Sequence, residues 1–227
     1  MKRIIPADPP GIERAAQSIL EGKVIAFPTE TFYGLGARAF QVEAVQRIFA
    51  IKGREERNPI LILVASRDWV PRLARKIPPR AQILMKHFWP GPLTLVFEAS
   101  QFIPAVITAG TGKVGIRLTS HPIARVLIQR VGEAITGTSA NRSGEPSCQT
   151  AEEVWKALGE RVDGILDGGK TLGGVGSTVL DITSDPPRII REGAIPRSEL
   201  DPFLFSLPAP DFEGEANGPK ARPAHSE

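Results

Sequence analysis

Short apolar runs that stop abruptly at glycine, proline or hydroxyl residues alternate along this chain with segments whose apolar residues recur at helical spacing. That alternation confines the chain to an α/β architecture. The clearest run, Val24-Ile25-Ala26-Phe27 between Gly22 and Pro28, reads as a buried strand. Ile12, Ala15, Ala16, Ile19 and Leu20, and then Val42, Val45, Ile48 and Phe49, fall on helical faces on either side of it. Further strands are expected over 60–64, 93–97, 114–118, 134–138, 178–182 and 188–191. Helices are expected over 81–88, stopped by Trp89-Pro90-Gly91-Pro92, and around Ile123, Ala124, Leu127 and Ile128. Thr150-Ala151-Glu152-Glu153 is a capping-box pattern that opens another helix. With 227 residues, 41% of them hydrophobic, the expectation is one α/β domain with a large twisted mixed sheet flanked by helices.

The strand ends carry the chemistry. Pro28-Thr29-Glu30-Thr31-Phe32-Tyr33-Gly34-Leu35-Gly36 follows the first buried strand directly, at the end where open α/β sheets bind ligands. A Thr/Gly-rich turn would explain that stretch alone, but Lys52-Gly53-Arg54 with Asn58-Pro59 follows one helix later. Across the expected strand ends, Lys52, Arg54, Arg117 and Arg191 supply cations, Thr31, Ser139 and Ser177 hydroxyls, and Asn58 and Asn141 amides. Such a set suits a polyphosphate together with a small carboxylate. It includes no histidine or cysteine, so it fits a reaction whose nucleophile is already an anion and whose catalysis rests on positioning and charge stabilisation.

Other features bound the reading. Gly164-Ile165-Leu166-Asp167-Gly168-Gly169-Lys170-Thr171 matches G-x-x-x-x-G-K-[ST] letter by letter, yet Leu172-Gly173-Gly174-Val175-Gly176 follows where that motif needs a helix. The match is read as coincidence in a glycine-rich loop. The single cysteine, Cys148, excludes an internal disulfide and has no histidine near it in sequence. His87, His121 and His225 lack metal-ligand spacing, so no protein-bound metal is expected. Formal net charge is +3, but between Arg57 and Phe97 the sole acid is Asp68 against seven basic residues. That segment could equally be a nucleic-acid footprint or a solvated face, and it lacks aromatic interleaving for base stacking. Prolines at 6, 9 and 10 interrupt the N-terminus and no apolar run is long enough to span a membrane, so a cytoplasmic protein is expected. Prolines and glycines thicken after Pro196. The domain is expected to run over 1–207, with a disordered tail over 208–227.

The motifs, taken in order, resemble the signature blocks of the YrdC family. They are the 28–36 block, Lys52-Gly53-Arg54, Asn58-Pro59, Phe88-Trp89-Pro90-Gly91-Pro92-Leu93-Thr94, Gly115-Ile116-Arg117, Thr138-Ser139-Ala140-Asn141-Arg142-Ser143-Gly144 and Ser177-Thr178-Val179-Leu180-Asp181. The family's threonylcarbamoyladenylate synthases join L-threonine, bicarbonate or CO2, and ATP into L-threonylcarbamoyladenylate and pyrophosphate. Their product serves threonylcarbamoyl modification of tRNA by a downstream transferase. The resemblance implies Lys52, Arg54, Ser139 and Asn141 as the catalytic signature. It implies Arg54, Asn58, Asn141 and Arg191, with Lys52, around ATP, and Thr31, Arg117, Ser139 and Ser177 around L-threonine. Mg2+ is expected on the phosphates.

Leu63 stands where some members carry a histidine, Lys113 where a Thr or Ser is frequent, and Gln149 where a Thr is frequent. Lys113 is expected either to contact phosphate or to point to solvent. Longer members append a second domain, which is expected to be absent here. The rival readings are an RNA-binding module using the basic segment and a carbamoyladenylate-handling relative; weak tRNA or RNA binding is the partner expectation common to the first and the main reading.

Overall fold

The computed structural model describes residues 3–55 and 57–204. Its strands are β1 (Ile4–Pro6), β2 (Ile25–Pro28), β3 (Tyr33–Gly36), β4 (Ile62–Val64), β5 (Leu93–Glu98), β6 (Lys113–Leu118), β7 (Ile135–Thr136), β8 (Thr138–Ser139), β9 (Gly164–Asp167), β10 (Thr178–Asp181) and β11 (Arg188–Arg191). Its helices are α1 (Pro9–Leu20), α2 (Val42–Lys52), α3 (Val70–Leu73), α4 (Pro79–Phe88), α5 (Ala105–Thr108), α6 (Pro122–Val131), α7 (Ala151–Leu158) and α8 (Arg197–Leu204). The expected tail over 208–227 lies outside the described residues.

The strands fall into two mixed sheets, ordered β1-β9-β2-β3-β8 and β11-β10-β5-β6-β4-β7. The single strand expected over 134–138 is where they part. Gly137 divides it, so Ile135 and Thr136 pair with β4 while Thr138 and Ser139 pair with β3. A Cβ on Gly137 would lie 2.6 Å from Leu63 Cγ and 2.7 Å from Leu61 Cδ1, so the crossing passes too close to the neighbouring strand for a side chain. Thr136 ties the sheets together there. Its hydroxyl donates to Leu35 O at 2.9 Å and accepts from Ala37 N at 3.0 Å.

Side-chain alternation decides what covers each sheet. Ile25 and Phe27 of β2 and Leu166 of β9 pack under Ile12, Ala15, Ala16 and Ile19 of α1 and Ala124, Leu127 and Ile128 of α6. Ala26, Leu35 and Ile165 face the other way, into the main cluster with α2 and α7. Helix α1 begins at Pro9 because Asp8 Oδ1 accepts from Gly11 N at 2.7 Å and two prolines occupy its first turn. Thr150 caps α7 through Glu153 N at 3.2 Å, while the Glu153 carboxylate reaches back to Gln149 N at 2.7 Å rather than to the N-cap's own N–H.

In the second sheet, Leu93, Leu95 and Phe97 of β5, Val114, Ile116 and Leu118 of β6 and Leu180 of β10 share the main core with Leu84 of α4 and Leu200 of α8. The alternate residues, among them Thr94, Lys113, Gly115, Arg117 and Asp181, line a cleft instead.

Candidate active site

The cleft has a volume of about 760 Å³ and lies between that face of the second sheet and the turn and strand ends of the first. Thr31, Arg54, Arg117, Ser139, Ser177 and Arg191 line it. Lys52, Asn58 and Asn141 line an adjoining recess of about 250 Å³ that shares Arg54, Thr138 and Ser139 with the cleft. All nine residues singled out in the sequence are therefore gathered, in two connected compartments.

Lys52 is the last residue of α2. Gly53 ends the helix in the left-handed region at φ 59°, and Arg54 N closes the turn onto Phe49 O at 3.0 Å. The Lys52 ammonium donates to Ser139 O at 2.6 Å, Asn141 O at 2.9 Å and Asn141 Oδ1 at 3.0 Å. An ammonium has three protons, so these bonds occupy it fully. Burial, with Arg54 nearby, holds its pKa down to about 8. Ser139 Oγ donates to Asn141 Oδ1 at 2.6 Å and Asn141 Nδ2 donates to Glu145 O, which completes a braced Ser-Ala-Asn corner. Lys52 therefore shapes the recess. Arg54 donates to Pro59 O at 3.1 Å, lies between the two compartments, and has its pKa lowered by burial; Asn58 is exposed at the rim.

The opposite wall is built around Arg117, which is 3% exposed. Burial lowers its pKa, with Glu30 opposing that shift and Arg191 reinforcing it. Arg191 donates from Nη2 to Ser177 O at 2.8 Å. It is re-aimed by a register shift between Val179 and Leu180 where β10 pairs with β11. Ser177 and Thr94 hydroxyls sit 2.9 Å apart, and those of Thr29 and Thr31 are 3.2 Å apart. Lys113, expected either to contact phosphate or to point to solvent, lines the cleft with a partly exposed side chain. It donates to Asp181 Oδ2 at 2.8 Å. Burial alone would raise the Asp181 carboxyl, but the hydrogen bonds from Lys113 and Thr183 outweigh it and leave the pKa lowered.

Two residues near the site are structural. Tyr33 donates to Gly169 O at 2.8 Å and accepts from Gly168 N at 3.2 Å, and burial raises its phenol. Cys148 is buried with its thiol raised to about 11 by that burial, far from a thiolate at neutral pH.

The Sua5/YciO/YrdC family model, described as telomere recombination, matches residues 17–193. The chain belongs to the Sua5/YciO/YrdC family. It is 47% identical over 196 residues to the threonylcarbamoyl-AMP synthase of Pyrococcus abyssi, covering 86% of this chain and 58% of that one. It is 42% identical over 196 residues to the threonylcarbamoyl-AMP synthase of Bacillus subtilis, covering 86% and 57%. The crystal structure of P. abyssi Sua5 complexed with L-threonine matches with a TM-score of 0.87 at 44% identity, covering 89% of this chain and 61% of that one. The chain thus spans little more than half the length of these family relatives.

Thr94, Asp181 and Arg188 also line this family member's cleft, with no role assigned to them from the sequence. A signal existed. Thr94 stands between the apolar Leu93 and Leu95, and Asp181 follows the apolar Leu180, the pattern of a sheet with one face on the core and one face free. Arg188 carries no such mark, because β11 is an edge strand with little burial.

Proposed function

We propose that this chain makes L-threonylcarbamoyladenylate and pyrophosphate from L-threonine, bicarbonate or CO2, and ATP. The observation that carries the reading is the cleft itself. It sets Arg117 and Arg191 against the hydroxyls of Thr31, Thr94 and Ser177, with Arg54 leading into the second compartment. Kinship of 47% with the P. abyssi synthase supports the same assignment.

In this reading Arg117 holds the threonine carboxylate as a bidentate fork, and Thr31, Ser139 and Ser177 receive the amino acid's polar groups. Arg54, Asn58, Asn141 and Arg191 surround ATP, while Lys52 keeps the Ser139–Asn141 corner in the shape that receives it. The threonine amine adds to CO2 and loses a proton to become a carbamate. A carbamate oxygen then attacks the α-phosphorus, the bond to the bridging oxygen breaks, and pyrophosphate leaves. Among the described residues no cysteine or histidine lines the cleft. The residues act by positioning and by neutralising charge. Among the described residues no three of His, Cys, Asp and Glu are grouped to hold a metal ion, and Asp181 in the cleft is engaged by Lys113 and Thr183. Mg2+ fits this site as a partner of the phosphates, where it would neutralise their charge.

A threonylcarbamoyl transferase acting on tRNA would consume the product, in the cytoplasm. Weak RNA contact would use the 57–97 segment, where Arg67, Arg72, Arg75 and Lys76 are exposed. No helix among the described residues is long and apolar enough to cross a membrane.

The test is pyrophosphate release with each substrate omitted in turn. Release should require L-threonine and bicarbonate together. Serine should be slower by roughly 10- to 200-fold, the worth of one methyl group. Equal release with alanine, valine and threonine, or release with no amino acid, would overturn the reading.

A further inference from the structure

Glu30 belongs to the turn between β2 and β3, and its side chain is 10% exposed. Its Oε2 accepts a hydrogen bond from the hydroxyl of Thr119, a fully buried residue one position beyond β6. Its Oε1 lies 3.7 Å from Arg117 Nε. Both of these atoms are shut away from solvent and neither has a hydrogen-bond partner. The separation is too long for a hydrogen bond, so what remains between them is Coulomb attraction in a poorly screened interior. Arg191 adds a second guanidinium charge to the same wall. His121, whose pKa burial lowers against the pull of Glu30, is the other titratable group at this corner.

We propose that Glu30 is a positioning residue for amino-acid recognition, holding the Nε side of Arg117 so that its guanidinium stays fixed at the cleft for the substrate carboxylate. The inference rests on reading the cleft as an amino-acid site. Arg117 is buried and carries a charge repelled by Arg191. Without a carboxylate behind it, the guanidinium has neither its counter-charge nor a defined orientation. The substrate must then supply the ordering that the protein now supplies in advance.

A purely mechanical alternative is available, because the Thr119–Glu30 bond also ties the turn of one sheet to the strand end of the other. Two substitutions separate the roles. Glu30→Gln keeps an acceptor for Thr119 and removes the charge, whereas Thr119→Val removes the tie and keeps the charge.

The measurement is calorimetric titration of L-threonine into each full-length variant, with steady-state kinetics and melting curves. Glu30→Gln should weaken threonine binding and raise its KM by about tenfold or more, with kcat at saturating threonine and the affinity for ATP within about threefold of wild type. Thr119→Val should lower the melting temperature and hold threonine affinity within about threefold. Glu30→Asp, which restores the charge, should recover much of the loss and also serves if the glutamine variant folds poorly. Adding Glu30→Gln to Arg117→Ala should cost little beyond Arg117→Ala alone, because the two residues act as a unit. Wild-type threonine affinity in Glu30→Gln overturns the inference alone, as does a parallel loss of threonine and ATP affinity in both Glu30→Gln and Thr119→Val. Failure of the wild-type protein to bind threonine at all overturns the cleft reading, and this inference with it.

Discussion

Lys52 and Arg117 are both buried cations at the same site, and their surroundings differ completely. The Lys52 ammonium has every proton on a protein oxygen. Arg117 faces one carboxylate at 3.7 Å and keeps an unpartnered Nε. A cation whose donors are all engaged fixes the shape of the protein around it. A cation left under-bonded beside an open cleft has capacity for a ligand. Two residues that read alike in a sequence are thus a frame and a receptor.

Arg117→Ala breaks the receptor half of this contrast, and it should have the largest effect. Loss of the fork that holds the substrate carboxylate should lower kcat/KM for threonine by about 10³-fold, in the range found when one partner of a buried charged pair is removed. Arg117→Lys keeps the charge and loses the planar fork, so it should recover only part of that loss. Removing the guanidinium also strips the buried Glu30 carboxylate of its counter-charge, so the melting temperature should fall as well. Threonine kinetics on the alanine variant within a few-fold of wild type would place the amino acid elsewhere.

Lys52→Ala breaks the frame, and it should differ in kind. Turnover should fall by roughly 10²-fold, as expected when catalytic groups move by about an ångström. Stability should fall with it, since Ser139 O, Asn141 O and Asn141 Oδ1 lose their shared donor. A cost of about 2–3 kcal/mol for stranded acceptors corresponds to a melting shift of roughly 5–10 °C in a chain of this size. The direction of the Lys52 pKa adds a pH test. Its ammonium is intact below about 8 and is lost above it, so ATP affinity should weaken between pH 8 and 9.5. The same group contributes to stability with the opposite sign. Its folded pKa lies below its unfolded one, so its own contribution rises with pH between about 8 and 10.5. An unchanged melting temperature in Lys52→Ala, or ATP affinity flat to pH 9.5, would show that the corner stands without the ammonium.

The α/β class, most strands and the nine residues that line the cleft and its recess were legible because strand ends and turn chemistry are local signals. The division into two sheets was not. It depends on Gly137, where a Cβ would come within 3 Å of Leu61 and Leu63, a close approach between segments far apart in sequence. The short helices α3, α5 and α8 were missed for a related reason. At four to eight residues they carry too little periodicity to announce themselves. The partner of Lys113 was equally hidden, since Asp181 lies 68 positions away. Glu30 stood in the most conspicuous block of the sequence and received no role, because its importance comes from Thr119 and Arg117 across the sheet boundary.

The smallest effect should come from a third lysine, and its smallness sharpens the contrast. Lys170 sits in a letter-perfect phosphate-loop match, yet the structure removes each physical element that makes such a loop work. Gly164, Ile165, Leu166 and Asp167 form β9, and no helix occurs between Asp167 and Thr178 to point its N-terminus at a phosphate. The backbone N–H groups that would cradle phosphate oxygens are already engaged. Gly168 N donates to Tyr33 Oη at 3.2 Å, Gly169 N to Asp167 Oδ1 at 3.0 Å and Thr171 N to Gln149 O at 2.9 Å. Lys170 itself is exposed, with water as the competitor for any charge it meets. Lys170→Ala should therefore change ATP affinity by less than about twofold, within the range of a surface substitution, with the melting temperature unchanged. Fluorescence or calorimetric titration of ATP decides it. A tenfold loss in a variant that melts like wild type would mean that the glycine-rich loop rearranges around the nucleotide, and Lys170 would then join Arg117 as a receptor.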